Sequence, residues 1–213
     1  MPCASRTNAC ARSVARSFCR RTSRCGSRTE VPAYVAFLRA VNVRPRWVKM
    51  SRLREVLVED GFQDVETYIQ SGNVKVSSSM RSVVRVRTRL EEVIEAEFGF
   101  PVPCIVRTPA RLREIAEYAE TLTSPLDPSE ITETERRYVT MTAESLTPEQ
   151  LAFCNEWRRP GERLHGDVGE IYWWLGMPTH QAKMSNARLE RLGVVATTRD
   201  IKVVRELAAR WGA

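Results

Sequence analysis

The stretch VETYIQSGNVKVSS, residues 65–78, holds two strand-like runs separated by one pair of turn residues, Ser71-Gly72. β-Branched and aromatic side chains favour a pleated surface, and a Ser-Gly pair between two such runs reads as a tight hairpin. What flanks this hairpin makes it decisive. Upstream, YVAFLRAV from Tyr34 is a nearly continuous apolar run interrupted only by Arg39, as suits a central strand covered on both faces. Between the two, Met50, Leu53, Val56 and Leu57 recur at helical spacing, and Gly61 supplies a left-handed stop. Downstream, Val83, Leu90, Ile94 and Phe98 line one face of a helix that Gly99 closes. VPCIVR, residues 102–107, is a further strand, and Thr108-Pro109 opens a helix to about Glu120. The order is βαββαβα, which contains the split βαβ of ferredoxin-like domains.

A polar stretch with two prolines, TLTSPLDPSE at residues 121–130, breaks the pattern, which then starts again. RRYVTMT is a strand, Thr147 to Gln150 is a capping box for a helix to about Trp157, and RLH and EIYWWL are strands around a His165-Gly166-Asp167 turn. Ser185 caps a helix through Leu192, VVAT is a short strand, and Thr198 caps the last helix to Trp211. The predicted fold is therefore α+β: two tandem βαββαβ units of the ferredoxin-like, split βαβ type. They span residues 31–120 and 136–213, with a linker over 121–135, and each has an antiparallel sheet with helices packed on one face.

Of the 213 residues 43% are hydrophobic and 28% charged, an ordinary globular composition, and no apolar run is long enough for a membrane span. The net charge of +7 is concentrated at the start, where residues 1–30 hold seven Arg and one Glu. The other 183 residues carry 26 Lys and Arg against 25 Asp and Glu, a near balance that does not support nucleic acid as a partner. The first thirty residues lack the apolar core of a secretory signal. They read as an unstructured Arg-rich tail, either an organelle import signal or, the preferred reading, upstream DNA translated from the wrong start, with the native start at Val31. Cys3, Cys10, Cys19 and Cys25 of this tail match no zinc or redox spacing, while Cys104 and Cys154 read as buried free thiols of a reducing cytoplasm.

Known chemical motifs are scarce. There is no glycine-rich phosphate loop, no GxGxxG and no GxSxG, and His165 and His180 are the only histidines. His165 reads as a solvated turn residue. No catalytic residue, metal or cofactor is assigned. Tyr172, Trp173 and Trp174 suggest base stacking on a sheet, but neighbouring strand residues point to opposite faces, so one indole faces the helices and the other is read as packing between the units.

Several segments together resemble a bacterial family, domain of unknown function 1697. Its members begin with a strand of the type YVALLRGINVGG, answered here by Tyr34 to Val43. The resemblance continues through Met50-Ser51-Arg52-Leu53-Arg54, Gly61-Phe62 and, most specifically, Thr67-Tyr68-Ile69-Gln70-Ser71-Gly72-Asn73-Val74. Lys183-Met184-Ser185-Asn186 and Ala196-Thr197-Thr198-Arg199 resemble two later elements. The chain departs from the pattern at Ala40, at Arg44-Pro45 and at Asp200-Ile201. The resemblance implies a bacterial cytosolic protein starting near the first strand, and supplies no reaction.

Two candidate sites follow. Parallel first and second strands bring Arg39, Asn42, Gln70, Ser71, Gly72 and Asn73 to one end of the first sheet, either as a ligand constellation or as a hairpin anchor in which Arg39 pairs with a carboxylate or carbonyl. In the second unit, the helix starts after EIYWWL and VVAT are expected to converge. Lys183, Ser185, Thr198 and Arg199 would then hold an anion on unpaired N–H groups and positive charge. Two functions fit: binding of a small anion, such as a phosphorylated metabolite or nucleotide, or an RNA- or protein-binding adaptor that uses the open sheet faces.

Overall fold

Every residue from Tyr34 to Leu38 is buried, which makes the first strand, β1 (Ala33–Leu38), the centre of a sheet. The computed structural model describes residues 31–213, and the expectations for residues 1–30 lie outside the described residues. After β1 come α1 (Met50–Glu59), β2 (Gln63–Tyr68), β3 (Asn73–Ser77), α2 (Val83–Phe98), β4 (Cys104–Arg107) and α3 (Pro109–Thr121). β1 pairs antiparallel with both β3 and β4, and β2 pairs antiparallel with β3, in the order β2-β3-β1-β4. β1 and β2 thus run the same way with β3 between them.

The second set is β5 (Arg136–Thr142), α4 (Pro148–Glu156), the two-residue β6 (Arg158–Arg159), β7 (Glu162–Gly166), β8 (Glu170–Leu175), α5 (Asn186–Arg191), β9 (Ala196–Asp200) and α6 (Ile201–Trp211). These strands form an antiparallel sheet in the order β6-β7-β8-β5-β9. The protein is α+β, with two antiparallel sheets and six helices among the described residues.

Strand alternation sorts the core into layers. Tyr34, Ala36 and Leu38 pack with Leu53 and Leu57 of α1 and Leu90 and Ile94 of α2. On the other sheet, Ile171, Trp173 and Leu175 pack with Cys154 of α4 and Leu189 of α5. The remaining faces meet in one central cluster. Val35, Phe37 and Ile105 of the first sheet share it with Val139, Met141, Tyr172 and Trp174 of the second, and the apolar sides of α3 and α6 fill it.

This layering corrects two readings. The sheet faces that an adaptor would present are not open, because the apolar stripes of α3 and α6 cover them. His165 does not sit in the turn. It lies in β7 opposite Tyr172, and its Nε2 is 3.0 Å from the Tyr118 hydroxyl. Residues 31–213 form one compact unit.

Phe37 is fully buried in the shared cluster. Phe37→Ala should therefore cost about 3–5 kcal/mol in urea unfolding. A loss near that of an exposed position, below about 0.5 kcal/mol, would contradict a packed central layer.

Candidate functional site

The turn between β2 and β3 is built from strained or permissive positions. Ile69 has φ +50° and Gly72 φ +76°. A Cβ on Gly72 would lie 2.6 Å from Val41 Cγ2 and 2.8 Å from Leu38 Cβ, so only glycine fits. Asn42, itself left-handed at φ +58°, donates through Nδ2 to the Gln70 carbonyl and accepts the Val48 N–H at 3.0 Å. Asn73 Nδ2 donates to Tyr68 O at 3.1 Å and Ser71 Oγ at 3.0 Å, which aims its Oδ1 outward from the turn.

That oxygen receives Arg199 Nε at 2.7 Å. Arg199 Nη2 donates to the carbonyls of Leu38 at 3.0 Å, Ser71 at 2.9 Å and Gly72 at 3.3 Å. Its Nη1 donates to Thr197 Oγ1 at 2.8 Å and Thr198 O at 3.0 Å. All six acceptors are uncharged, and the Phe37 ring lies 5.8 Å from the guanidinium carbon. Burial pushes this guanidinium down to about 10, so it remains protonated at neutral pH. Arg39 answers in the opposite direction, donating through Nε to Ala196 O at 3.0 Å and pairing with Glu190. The two constellations anticipated separately therefore meet across the boundary between the sheets. Arg39, Asn42, Ser71, Gly72, Asn73 and Arg199 form a joint, with Gln70 contributing a backbone carbonyl.

Lys183 and Ser185 are not part of it, and Thr198 contributes only its backbone carbonyl. β9 begins at Ala196 and runs to Asp200, so Thr198 is a strand residue and does not cap the last helix; Asp200 does, accepting the Lys202 N–H at 2.8 Å. Alternation then splits the set. Thr197 and Arg199 face the first sheet, whereas Thr198 faces α5 and bonds Asn186 Oδ1 at 2.9 Å. Ser185 caps α5 by accepting the Arg188 N–H at 3.2 Å, and Lys183 is exposed beside it. The converging helix starts expected there are not assembled, because α5 and α6 lie on opposite faces of the sheet.

A cleft of about 660 Å³ opens beyond the end of β4, lined by Val83 at the start of α2, Thr108 and Arg111 at the start of α3, Glu144, Ser145, and the 167–170 turn with its carboxylates Asp167 and Glu170. Glu170, almost fully buried, forms its floor and accepts Arg107 Nε at 2.9 Å and an Arg111 Nη2 contact. Arg107 further donates to the carbonyls of Val106, Thr142 and Gly169, so four of its five N–H donors are used. Arg111 is half-buried, donates to Glu170 and Glu114, and pairs at 3.8 Å with Asp167, so hydrogen bonds occupy two of its five N–H donors. The local signal for this site is an arginine in the first turn of a helix that has no acid there, against the helix dipole. Its buried carboxylate partner, Glu170, lies 59 positions away and has no local signature.

Among the described residues no group of three or more His, Cys, Asp or Glu side chains could hold a metal, and no helix is long and apolar enough to cross a membrane. Cys104 and Cys154 are buried free thiols; burial raises the first well above the usual thiol range and the second to about 11.

These features define an α+β protein whose two sheets are locked together by arginines exchanged between them. Residues 31–172 match the family described as a protein of unknown function, DUF1697, and the chain belongs to that family. No curated protein matches it. Among solved structures it is similar to the conserved bacterial protein SP0830 from Streptococcus pneumoniae, at 22% identity and a TM-score of 0.61, over 86% of this chain and 99% of that one. At that identity the likeness bears on fold alone.

Arg199→Met removes every hydrogen bond that Arg199 donates and leaves buried carbonyls unpaired. The expected loss is at least about 3 kcal/mol in urea unfolding, given roughly 1.5–3 kcal/mol for each hydrogen bond to a charged group. A loss under about 1 kcal/mol would remove Arg199 as the element joining the sheets.

Proposed function

We propose that the protein binds a small anionic ligand, phosphorylated or nucleotide-like, in the cleft beyond β4, and that it does so in the bacterial cytosol. The observation that carries this reading is Arg111. It stands in the first turn of a 13-residue helix at the wall of a cleft large enough for a metabolite, and beside its bonds to Glu170 and Glu114 and its longer pairing with Asp167 it keeps N–H donors without a hydrogen-bond partner. The first turn of the 16-residue α2 borders the same cleft at Val83, so a second helix start adds its partial positive charge. Arg107 and Glu170 hold Arg111 in place without using its remaining donors, which is how a ligand-binding guanidinium is kept oriented. The Thr108 and Ser145 side chains are exposed along the rim and offer hydroxyl contacts.

Thermal unfolding with inorganic phosphate, a nucleotide panel and sugar phosphates tests the proposal. A ligand at a hundred times its dissociation constant should stabilise the parent by roughly 2.7 kcal/mol. Arg111→Gln should lose most of that increment while keeping its own cooperative transition. An increment of equal size in parent and variant, or none with any anion, would overturn it.

A further inference from the structure

The loop after β1 carries an exposed apolar group that neither the joint nor the cleft uses. Trp47 is 61% exposed, Val43 53% and Ile69 49%. Asn42 holds them together, because its side chain ties the Gln70 carbonyl on one side to the Val48 N–H on the other. The loop is itself closed by Asn42 N–H to Arg46 O at 2.8 Å and Arg46 N–H to Val43 O at 2.7 Å, so the three side chains stand on a braced platform. Ile69 is β-branched yet left-handed, an arrangement that costs energy and persists only where the surroundings enforce it.

Cations surround this platform. Arg44 and Lys49 are exposed, Arg46 lies over the Phe100 ring at 6.0 Å, and Arg54 donates to Thr67 Oγ1, two residues before Ile69. None of the four has a carboxylate partner among the described residues. Lys49 occupies the N-cap position of α1, makes no capping hydrogen bond, and is followed by a first turn without an acid. A cation at the positive end of a helix with orphan N–H groups is unfavourable, and a carboxylate supplied from outside would satisfy both.

We propose that this platform docks an acidic protein segment that places an apolar side chain against Trp47, Val43 and Ile69 and a carboxylate at the start of α1. A tryptophan bordered by arginines is the composition of an interface centre. Single-stranded nucleic acid uses several aromatic platforms for successive bases, whereas two of the three apolar groups here are aliphatic. The near balance of 26 basic and 25 acidic residues outside the tail also gives no long-range field toward a polyanion or an anionic bilayer.

Of the five tryptophans, Trp157, Trp173, Trp174 and Trp211 are buried, so acrylamide quenching of the full chain reports on Trp47. The synthetic peptide (Glu-Leu-Asp-Phe)3 should protect Trp47 from acrylamide, and its basic counterpart (Lys-Leu-Lys-Phe)3 should not. In the exposed double variant Arg44→Glu/Lys49→Glu, binding of the acidic peptide should weaken by roughly tenfold or more. If the double variant misfolds, the contrast between the two peptides on the parent decides alone. Absence of protection by the acidic peptide, unchanged affinity in the folded variant, or equal protection by oligouridylate or phosphatidylserine vesicles would overturn the proposal.

Discussion

The guanidinium of Arg199 is a full charge held in the interior of the protein, and the structure is organised so that this charge is tolerable. Burying an ion costs several kcal/mol unless its donors are met, and here three main-chain carbonyls of the other sheet meet them together with Asn73, Thr197 and the Thr198 carbonyl. Those carbonyls are available only because Gly72 lets the turn approach Leu38 closely and Asn73 braces it from within. Within the TYIQSGNV stretch, Tyr68, Gln70, Ser71, Gly72 and Asn73 therefore serve the arginine or the turn that receives it. Planarity matters as well. A lysine has three donors on one atom and could not reach acceptors spread around a fork.

The exchange runs in both directions. The first half sends Arg39 to Ala196 and Glu190, Arg107 and Arg111 to Glu170, and Arg113 to the Gly212 carbonyl; the second returns Arg199 to the turn and Arg205 to Glu120. The two ends of the central layer differ in how completely these groups are satisfied. At the turn end every Arg199 donor is committed to protein. At the cleft end the carboxylate is shared by two arginines, and Arg111, which also pairs with Glu114 and Asp167, keeps N–H donors without a hydrogen-bond partner. A saturated network rigidifies, so the same residue type is fully used at one end of the central layer and only partly used at the other.

Much of the element order was legible because it depends on near neighbours. The Thr147 to Gln150 capping box forms both reciprocal hydrogen bonds, Ser185 caps α5, and Gly99 ends α2 in the left-handed conformation. Trp173 faces α4 and α5 while Trp174 faces the central layer, as strand alternation requires. The candidate site was less legible, for a reason of register. Reading VVAT as the strand instead of ATTRD made Thr198 a cap and left Arg199 in a helix, and with the strand continued to Asp200 alternation turns that side chain toward the other sheet. The amphipathic patterns of α3 and α6 state that each has an apolar face, but not which sheet it covers. Their positions follow from contacts made across the whole chain.

The distance along the chain between Arg199 and its acceptors also sets an order of events in the cell. Leu38 precedes Arg199 by 161 residues and Ser71 by 128. At a synthesis rate of about 5–20 residues per second, the Leu38 carbonyl is made roughly 8–30 seconds before the arginine that will bind it. Throughout that interval water must stand in for the guanidinium, and the inner face of the first sheet has only α3 to lie against. The nascent chain thus passes through a stage in which its earlier half has its hairpin but not its lock. During that stage Val35, Phe37 and Ile105 are apolar surface that the later half has yet to cover.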